Sequence, residues 1–186
     1  MRKDICIKTI REGISCSGTT ETRVSWMIPF LAELGYNVTK STVFEHPETH
    51  KTFNISHKDE DLQNFPVHIV SFKQSLDKST REGKISPHAL VQEFLNFTEQ
   101  NYAFVSNGIF LRLLRDSSRL VKTTYFEFNL EKMMEEDLFP DFALLYRTLH
   151  ASRFIYKDDL PERSVFEYYH LQSLESGARL RENLSV

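Results

Sequence analysis

The chain has 186 residues, enough for one ordinary domain or for one domain with an appendage. Hydrophobic residues make up 40% and charged residues 26% of it, which is the composition of a folded protein and not of a disordered one. The formal net charge of −3 argues against a protein whose main task is to coat nucleic acid, because that kind of binding comes mainly from neutralised phosphates.

The N-terminal region does not have the pattern of a secretion signal. Residues 1–20 contain no continuous apolar run, because charged residues such as Lys8 and Arg11 interrupt it. No window reaches the ~18 uninterrupted apolar residues of a membrane span. Cys6 and Cys16 lack CxxC spacing and nearby histidines, which is typical of reduced cytosolic thiols. We therefore expect a cytoplasmic protein without a membrane partner.

The first predicted element is a helix over residues 21–34, where apolar residues recur at three- and four-residue steps. Thr19 or Thr20 can cap its start, and Gly35 suits its end. Pro29 removes one backbone donor and should kink the helix. A strand, a turn and a returning strand are then predicted at residues 36–45, 46–50 and 52–56.

The second half of the sheet is predicted from alternation and turn residues. Ser86 and Pro87 form a good helix start, because serine caps and proline fits the first helical position. Asn107-Gly108 predicts a hairpin with a type I′ turn, which needs two residues with positive φ. Asn129 can cap the next predicted helix. The strands of this half are expected at residues 66–72, 102–106, 109–115 and 123–128.

After Asn129 the apolar period changes from two to about 3.6, which predicts helices. The sequence therefore indicates an α/β (α+β) protein with a mixed sheet of about five or six strands flanked by helices, followed by an all-helical C-terminal segment. We place the boundary between residues 1–128 and residues 129–186. The last predicted helix still carries apolar residues at Leu180 and Leu184, so we expect either a fold-back or a continuation of the chain.

A metal-dependent nuclease of the PD-(D/E)xK type needs an acidic residue on a helix, an aspartate on one strand and an acid-x-lysine triplet on the next. Glu21 and either Asp59 or Asp61 are candidates for the first two roles. The triplet, however, reads Ser71-Phe72-Lys73, and serine is a poor ligand for Mg²⁺. The order of elements fits a restriction-endonuclease-like fold, but the residues predict a degenerate site and a chain that is inactive by itself.

Other catalytic sites lack their motifs. Binding S-adenosylmethionine in the usual α/β fold takes a glycine-rich turn, and no two of the six glycines form GxG. The same glycines exclude a P-loop. We therefore expect no metal ion and no cofactor in this chain.

A basic cluster lies between two predicted strands, with only Asp116 opposing it. These side chains are our candidates for contacts with DNA phosphates, although a solvated loop would give the same pattern. The cluster consists of Arg112, Arg115, Arg119 and Lys122.

Several segments resemble the N-terminal region of long bacterial adenine-specific DNA methyltransferases of restriction–modification and phage-defence systems. The resemblance covers nearly the whole chain, and its motifs are typical of the family without being catalytic. It is carried by residues 53–57 (FNISH), 66–70 (PVHIV), 86–96 (SPHALVQEFLN), 106–108 (SNG), 111–116 (LRLLRD), 141–145 (DFALL), 150–154 (HASRF) and 175–181 (ESGARLR).

The resemblance implies a degenerate endonuclease-like domain followed by the start of a helical spacer. In such a family S-adenosylmethionine and Mg²⁺ belong to the parent enzyme, and the downstream methyltransferase region is the expected partner, with DNA as a second one. The alternatives are an active Mg²⁺-dependent nuclease domain and a stand-alone protein-interaction domain.

Overall fold

The computed structural model describes residues 18–79, 84–116 and 125–154, together with helical positions 165, 166, 168, 169, 172, 175 and 176. Eight strands run along this part of the chain: β1 (Val38–Lys40), β2 (Phe44–Glu45), β3 (Thr52–Phe53), β4 (His57–Asp59), β5 (Phe65–Ile69), β6 (Tyr102–Ser106), β7 (Phe110–Arg115) and β8 (Tyr125–Asn129). The fold is mixed α/β, as the sequence predicted.

Six strands form the main sheet in the spatial order β1-β4-β5-β6-β7-β8. Strands β5 and β6 are parallel and are joined through a helix, whereas all other neighbours in this sheet are antiparallel. The β2–β3 pair forms a separate two-stranded antiparallel sheet. The strand expected over residues 36–45 is therefore split, and its two halves join different sheets.

The helices are the π-helical segment Glu21–Met27, α1 (Ile28–Glu33), α2 (Pro87–Asn96), α3 (Leu130–Glu135), α4 (Phe139–Leu149) and the 3₁₀ turn Ala151–Arg153. The helix predicted over residues 21–34 is confirmed, and its first half has the wider π geometry. Pro29 is the second residue of α1, and it lies inside a continuous helical run because the backbone passes from the π-helical segment into α1 without leaving the helical region. The helix type changes from π to α at Ile28, one residue before Pro29.

Two predicted caps are confirmed. The hydroxyl of Ser86 accepts a hydrogen bond from the backbone N–H of Ala89 at 3.2 Å, which starts α2. Asn129 Oδ1 accepts from the N–H of Lys132 at 2.9 Å and starts α3 directly after β8. Local side-chain chemistry therefore sets both boundaries.

The hairpin at Asn107-Gly108 exists, but the predicted type I′ turn is wrong. Ser106 pairs with Leu111, so a longer loop separates the strands. Gly108 has a φ of +83°, whereas Asn107 keeps a negative φ. The side chain of Asn107 closes the loop instead, because its Oδ1 accepts from the N–H of Phe110 at 2.9 Å.

The main sheet separates two apolar clusters. On one face Phe104 and Leu113 pack with α1, α3 and α4. On the other face Val105 and Leu114 pack with α2 and the small sheet. Leu149 and Phe154 belong to the first cluster, so this packing continues across the boundary that we placed at residue 129. Within the described ranges, no helix combines the length and the apolar character needed to cross a bilayer.

Candidate functional site

The structure gives Asp59 a local structural role. Asp59 lies at the end of β4, is 1% exposed, and accepts from the backbone N–H groups of Asn37 at 2.7 Å and Asp61 at 3.0 Å. A third bond comes from Leu62 N–H at 3.4 Å. The carboxylate therefore closes the turn between β4 and β5. Asp61 is exposed, and its Oδ2 accepts a 3.3 Å bond from the side chain of Asn37.

The predicted nuclease residues lie at two ends of the sheet. Asp59 pairs with Phe65 at the beginning of β5, whereas Lys73 follows the end of that strand. The strand between them is about 13 Å long at 3.3 Å per residue. Glu21 lies at the Lys73 end, because the neighbouring Thr22 accepts a 3.0 Å bond from the N–H of Phe72.

The donor set does not fit a Mg²⁺ site of the nuclease kind. Ser71 Oγ accepts from the backbone N–H of Lys73 at 3.2 Å and so serves the local turn. Among the described residues, no group of three or more His, Cys, Asp or Glu side chains is arranged to hold a metal ion. Cys6 and Cys16 lie outside the described ranges. We derive no metal-dependent step from these residues.

Arg112 lies in an ion-pair network and not at a DNA-facing edge. Its side chain is 6% exposed and donates to both carboxylate oxygens of Asp77, at 2.6 and 2.8 Å. Glu127 accepts a further bond at 2.5 Å. The guanidinium also lies 4.7 Å from the ring centre of Tyr125, and His88 Nδ1 is 3.2 Å away. The guanidinium of Arg112 already binds two carboxylates and lies against an aromatic ring, so we no longer include Arg112 among the candidate DNA contacts.

This network shifts the titration of its members. The hydrogen bonds from Arg112 lower the pKa of Asp77, and those to Asp77 and Glu127 raise the pKa of Arg112. Arg115 is partly buried and lies 5.9 Å from the ring centre of Tyr102. The other two predicted contacts, Arg119 and Lys122, lie outside the described residues, so the DNA edge stays a prediction for them.

A different polar cluster occupies the end of the sheet where β4 and β5 separate. The main-chain ladder ends at the pair His57–Val67. Beyond this pair the side chain of Ser56 links the two strands. Its Oγ accepts a hydrogen bond from the N–H of Ile69 at 2.8 Å and lies 2.8 Å from His57 Nδ1. The N–H of Ser56 donates to His68 Nδ1 at 3.3 Å. Side chains thus hold the diverging strands together.

Arg23 enters this gap from the π-helical segment. Its Nε donates to the carbonyl oxygen of Ile69 at 2.9 Å. Among the described residues, no carboxylate lies within ion-pair distance of Arg23, and no acceptor bonds its two terminal nitrogens. Partial burial lowers the pKa of the guanidinium. A partly buried arginine without a carboxylate is unusual, because arginine normally enters the interior as one half of an ion pair.

The two histidines beside Arg23 are held in their neutral forms. Burial, with Arg23 and Lys40 nearby, lowers the pKa of His57 to about 4. Burial, with Arg23 and His57 nearby, lowers the pKa of His68 to about 4. His57 and His68 are 3% and 8% exposed, so desolvation is the larger cause for both. The electrostatic neighbours that act on this pair are therefore cationic.

In the sequence His57 and His68 are isolated, and no motif there marks Arg23. The signal that was missed is the hairpin itself, because β4 and β5 run antiparallel and bring residues 57 and 67 side by side. Comparison with known proteins adds no further assignment: no protein-family model, no curated protein and no solved structure matches this chain.

Proposed function

We propose that this chain is a non-catalytic N-terminal module of a DNA restriction–modification or phage-defence adenine-specific methyltransferase, in which it braces the larger enzyme. The proposal is supported by two features together: the order of the secondary-structure elements, and the kinds of side chain at the end of the sheet where β4 and β5 separate. The elements of the main sheet follow the order expected of an endonuclease-like fold. A helix comes first, then strands β1, β4 and β5, then helix α2 and the parallel strand β6. The end of the sheet where β4 and β5 separate holds Arg23, His57 and His68 beside Glu21 and Lys73, and among the described residues no three His, Cys, Asp or Glu side chains are arranged there to hold a metal ion.

This set of side chains removes nuclease chemistry and leaves binding chemistry. Hydrolysis of a phosphodiester by a bound metal ion needs converging carboxylates. Neutral imidazoles and a guanidinium cannot hold Mg²⁺, but they can donate hydrogen bonds to an anion. The module therefore supports contact with a nucleic-acid backbone and not its cleavage.

Exposed apolar side chains on α4 support the bracing role. Phe139 is 74% exposed, and Leu144, which lies five positions further along α4 and on a different face of the helix, is 55% exposed. Phe139 also borders a groove of about 440 Å³, whose wall includes Met133 and Phe142. Methionine and aromatic side chains adapt well to a packed partner. We assign this surface to the downstream methyltransferase region.

Co-purification with the product of a neighbouring methyltransferase reading frame tests the proposal. We expect the two to elute together, and we expect Phe139→Ser to weaken the complex at least tenfold, because it removes a large buried contact. Ile85→Ser is the matched control, since Ile85 is exposed on another part of the chain. A gene neighbourhood without such a frame, or a chain that ignores its product, would overturn the proposal.

Incubation with phage DNA and Mg²⁺ tests the alternative. We expect no nicking by the purified chain. Nicking that is lost in Lys73→Ala and retained in Lys58→Ala would establish an active nuclease instead.

A further inference from the structure

We infer that the groove between β2, the β4–β5 hairpin and the end of α2 is a binding site for a small organic cation, an amine carried on an apolar body. The groove has a volume of about 670 Å³, which lies within the range of about 300–1,000 Å³ found for small-molecule sites. It lies on the face of the main sheet that α2 covers, whereas the surface assigned to a methyltransferase lies on α3 and α4 at the other face. The groove and that surface are therefore separate, and either can bind without the other.

The groove arises because one predicted strand is divided between two sheets. β1 belongs to the main sheet and β2 to the small sheet, and residues 41–43 connect them. The backbone N–H of Ser41 donates to the carbonyl oxygen of Ser56 at 3.1 Å, which ties this connection to the segment before β4. Gln100 Nε2 donates to the carbonyl oxygen of Gln63 at 2.9 Å, which ties the segment after α2 to the β4–β5 turn. Hydrogen bonds therefore fix the walls at their edges, and the groove between them stays open.

The apolar part of the wall is a cluster of aromatic rings. Phe44 on β2 lies edge to face with Phe94 on α2, with 5.6 Å between the ring centres. His46 lies edge to face with Phe97, with 5.3 Å between the ring centres. Phe44 and Phe97 are only partly buried, so both rings still reach solvent. The face of a phenylalanine ring carries negative potential, so such a wall packs against an apolar body and also attracts a positive charge.

This cluster already holds one ammonium group of the chain itself. Lys51 Nζ lies 5.7 Å from the ring centre of Phe53 and 5.7 Å from that of Phe97. Glu93 supplies the carboxylate that pairs with this ammonium group. Phe97 also lines the groove. The protein therefore shows, beside the groove, the combination of aromatic ring and carboxylate that we expect to hold the cation of the ligand.

The charge of the lining favours a cation over an anion. Lys58 is already matched, because Glu60 pairs with it at 3.0 Å. Glu45 lies 2.9 Å from His50, and Glu99 is exposed and makes no ion pair within the described ranges. Apart from the histidines, two lining carboxylates thus stand against one lysine that has its own partner, and an anion would be repelled. The ionisable side chains that line the groove are Glu45, His46, His57, Lys58 and Glu99.

Titration of the isotope-labelled full chain with benzylamine tests the site, because benzylamine joins one ammonium group to one ring. We expect saturable shifts of the backbone amide resonances of Phe44, Phe97 and Gln100, with an affinity that falls as potassium chloride is added. Benzyl alcohol has the same ring without the charge, and benzoate has the opposite charge. We expect benzyl alcohol to bind at least about threefold more weakly, because the cation–π contact is lost, and benzoate not to saturate.

Two variants separate the charge from the ring. Glu99→Gln keeps the size of an exposed side chain, and we expect it to weaken benzylamine binding about threefold and to leave benzyl alcohol binding unchanged. Phe97→Leu keeps an apolar side chain without the ring, and we expect it to weaken benzylamine binding about threefold or more. Glu33→Gln is the matched control, since Glu33 is also exposed but lies on α1 at the other face of the sheet.

Three results would overturn the inference: no saturable shift with benzylamine, benzoate binding as tight as that of benzylamine, or an unchanged benzylamine affinity in either folded variant. A lysine tripeptide with blocked ends that binds the groove more tightly than benzylamine would make it a protein-docking surface, and would overturn the assignment to a small ligand. None of these results bears on co-purification with a methyltransferase, so the two proposals fail separately.

Discussion

Thr22 and Gly108 lie in direct contact between the π-helical segment and the β6–β7 loop. The Cγ2 atom of Thr22 is 2.9 Å from the point where a Cβ on residue 108 would lie, and Cδ1 of Trp26 is 3.1 Å from it. The φ of Gly108 is +83°, which side-chain-bearing residues rarely adopt. Steric contact and backbone conformation therefore both require glycine here.

We predict that Gly108→Ala lowers the free energy of unfolding by about 2 kcal/mol or more, since it combines backbone strain with a clash. Urea denaturation measures the loss. In the double variant with Thr22→Ser the Cγ2 atom is gone, but the hydroxyl that accepts from Phe72 remains. We expect this change to restore part of the loss. An additive double variant would show that the contact with Thr22 contributes nothing.

We predict that Asp59→Ala lowers the free energy of unfolding by about 2–3 kcal/mol, because it leaves backbone donors of a buried turn without their acceptor. Asp61→Ala should cost no more than about 0.5 kcal/mol, because Asp61 is exposed and makes one long bond. Chemical denaturation of both variants checks the difference. Equal losses would contradict the structural role that we give to Asp59.

We predict that Arg112→Met lowers the free energy of unfolding by about 2 kcal/mol, because Asp77 and Glu127 lose their shared cation while water can still reach both. The same variant should return the pKa of Asp77 upward toward its ordinary range, measured from its carboxyl carbon resonance. Arg115→Met should leave the pKa of Asp77 unchanged. If Arg112→Met leaves stability and this pKa unaltered, the network does not form.

We predict that the chain loses stability as the pH falls from about 6.5 to about 4. The folded-state pKa values of His57 and His68 are both about 4, below the ordinary value near 6.5. The unfolded chain therefore binds more protons in this window, and protonation favours unfolding. Stability from this source is fully present above pH 6.5.

Urea midpoints between pH 7 and pH 4 measure this effect. His57→Gln and His68→Gln should each flatten the curve. A midpoint that stays constant from pH 7 to pH 4 would contradict the neutral, buried state of the two rings.

Local signals predicted the elements of this protein well. Ser86 and Asn129 start helices because their side chains reach a backbone N–H three residues away, a contact that needs no distant partner. The hairpin at Asn107 was found for the same reason. Its turn type was not, because the side chain of Asn107 can close a longer loop equally well.

Contacts between distant residues were not predictable. The acidic residue at position 59 matches a catalytic pattern in sequence, yet it closes a turn because β4 and β5 pair in a register that places it far from Lys73. Arg112 belongs to a basic cluster in sequence, yet Asp77 and Glu127 reach it from other elements.

Residue identity along the chain was enough to predict a mixed α/β fold, two helix caps and the lack of an acid-x-lysine triplet, because propensity and residue type are local properties. That Arg23, Lys40 and His57 lie at the same end of the sheet could be seen only in the folded chain. These residues come from a helix and two strands, and the pairing of β1 with β4 together with the bond from Arg23 to Ile69 brings them to one end of the sheet. Which charges face each other depends on register and packing, and neither is encoded at any single position.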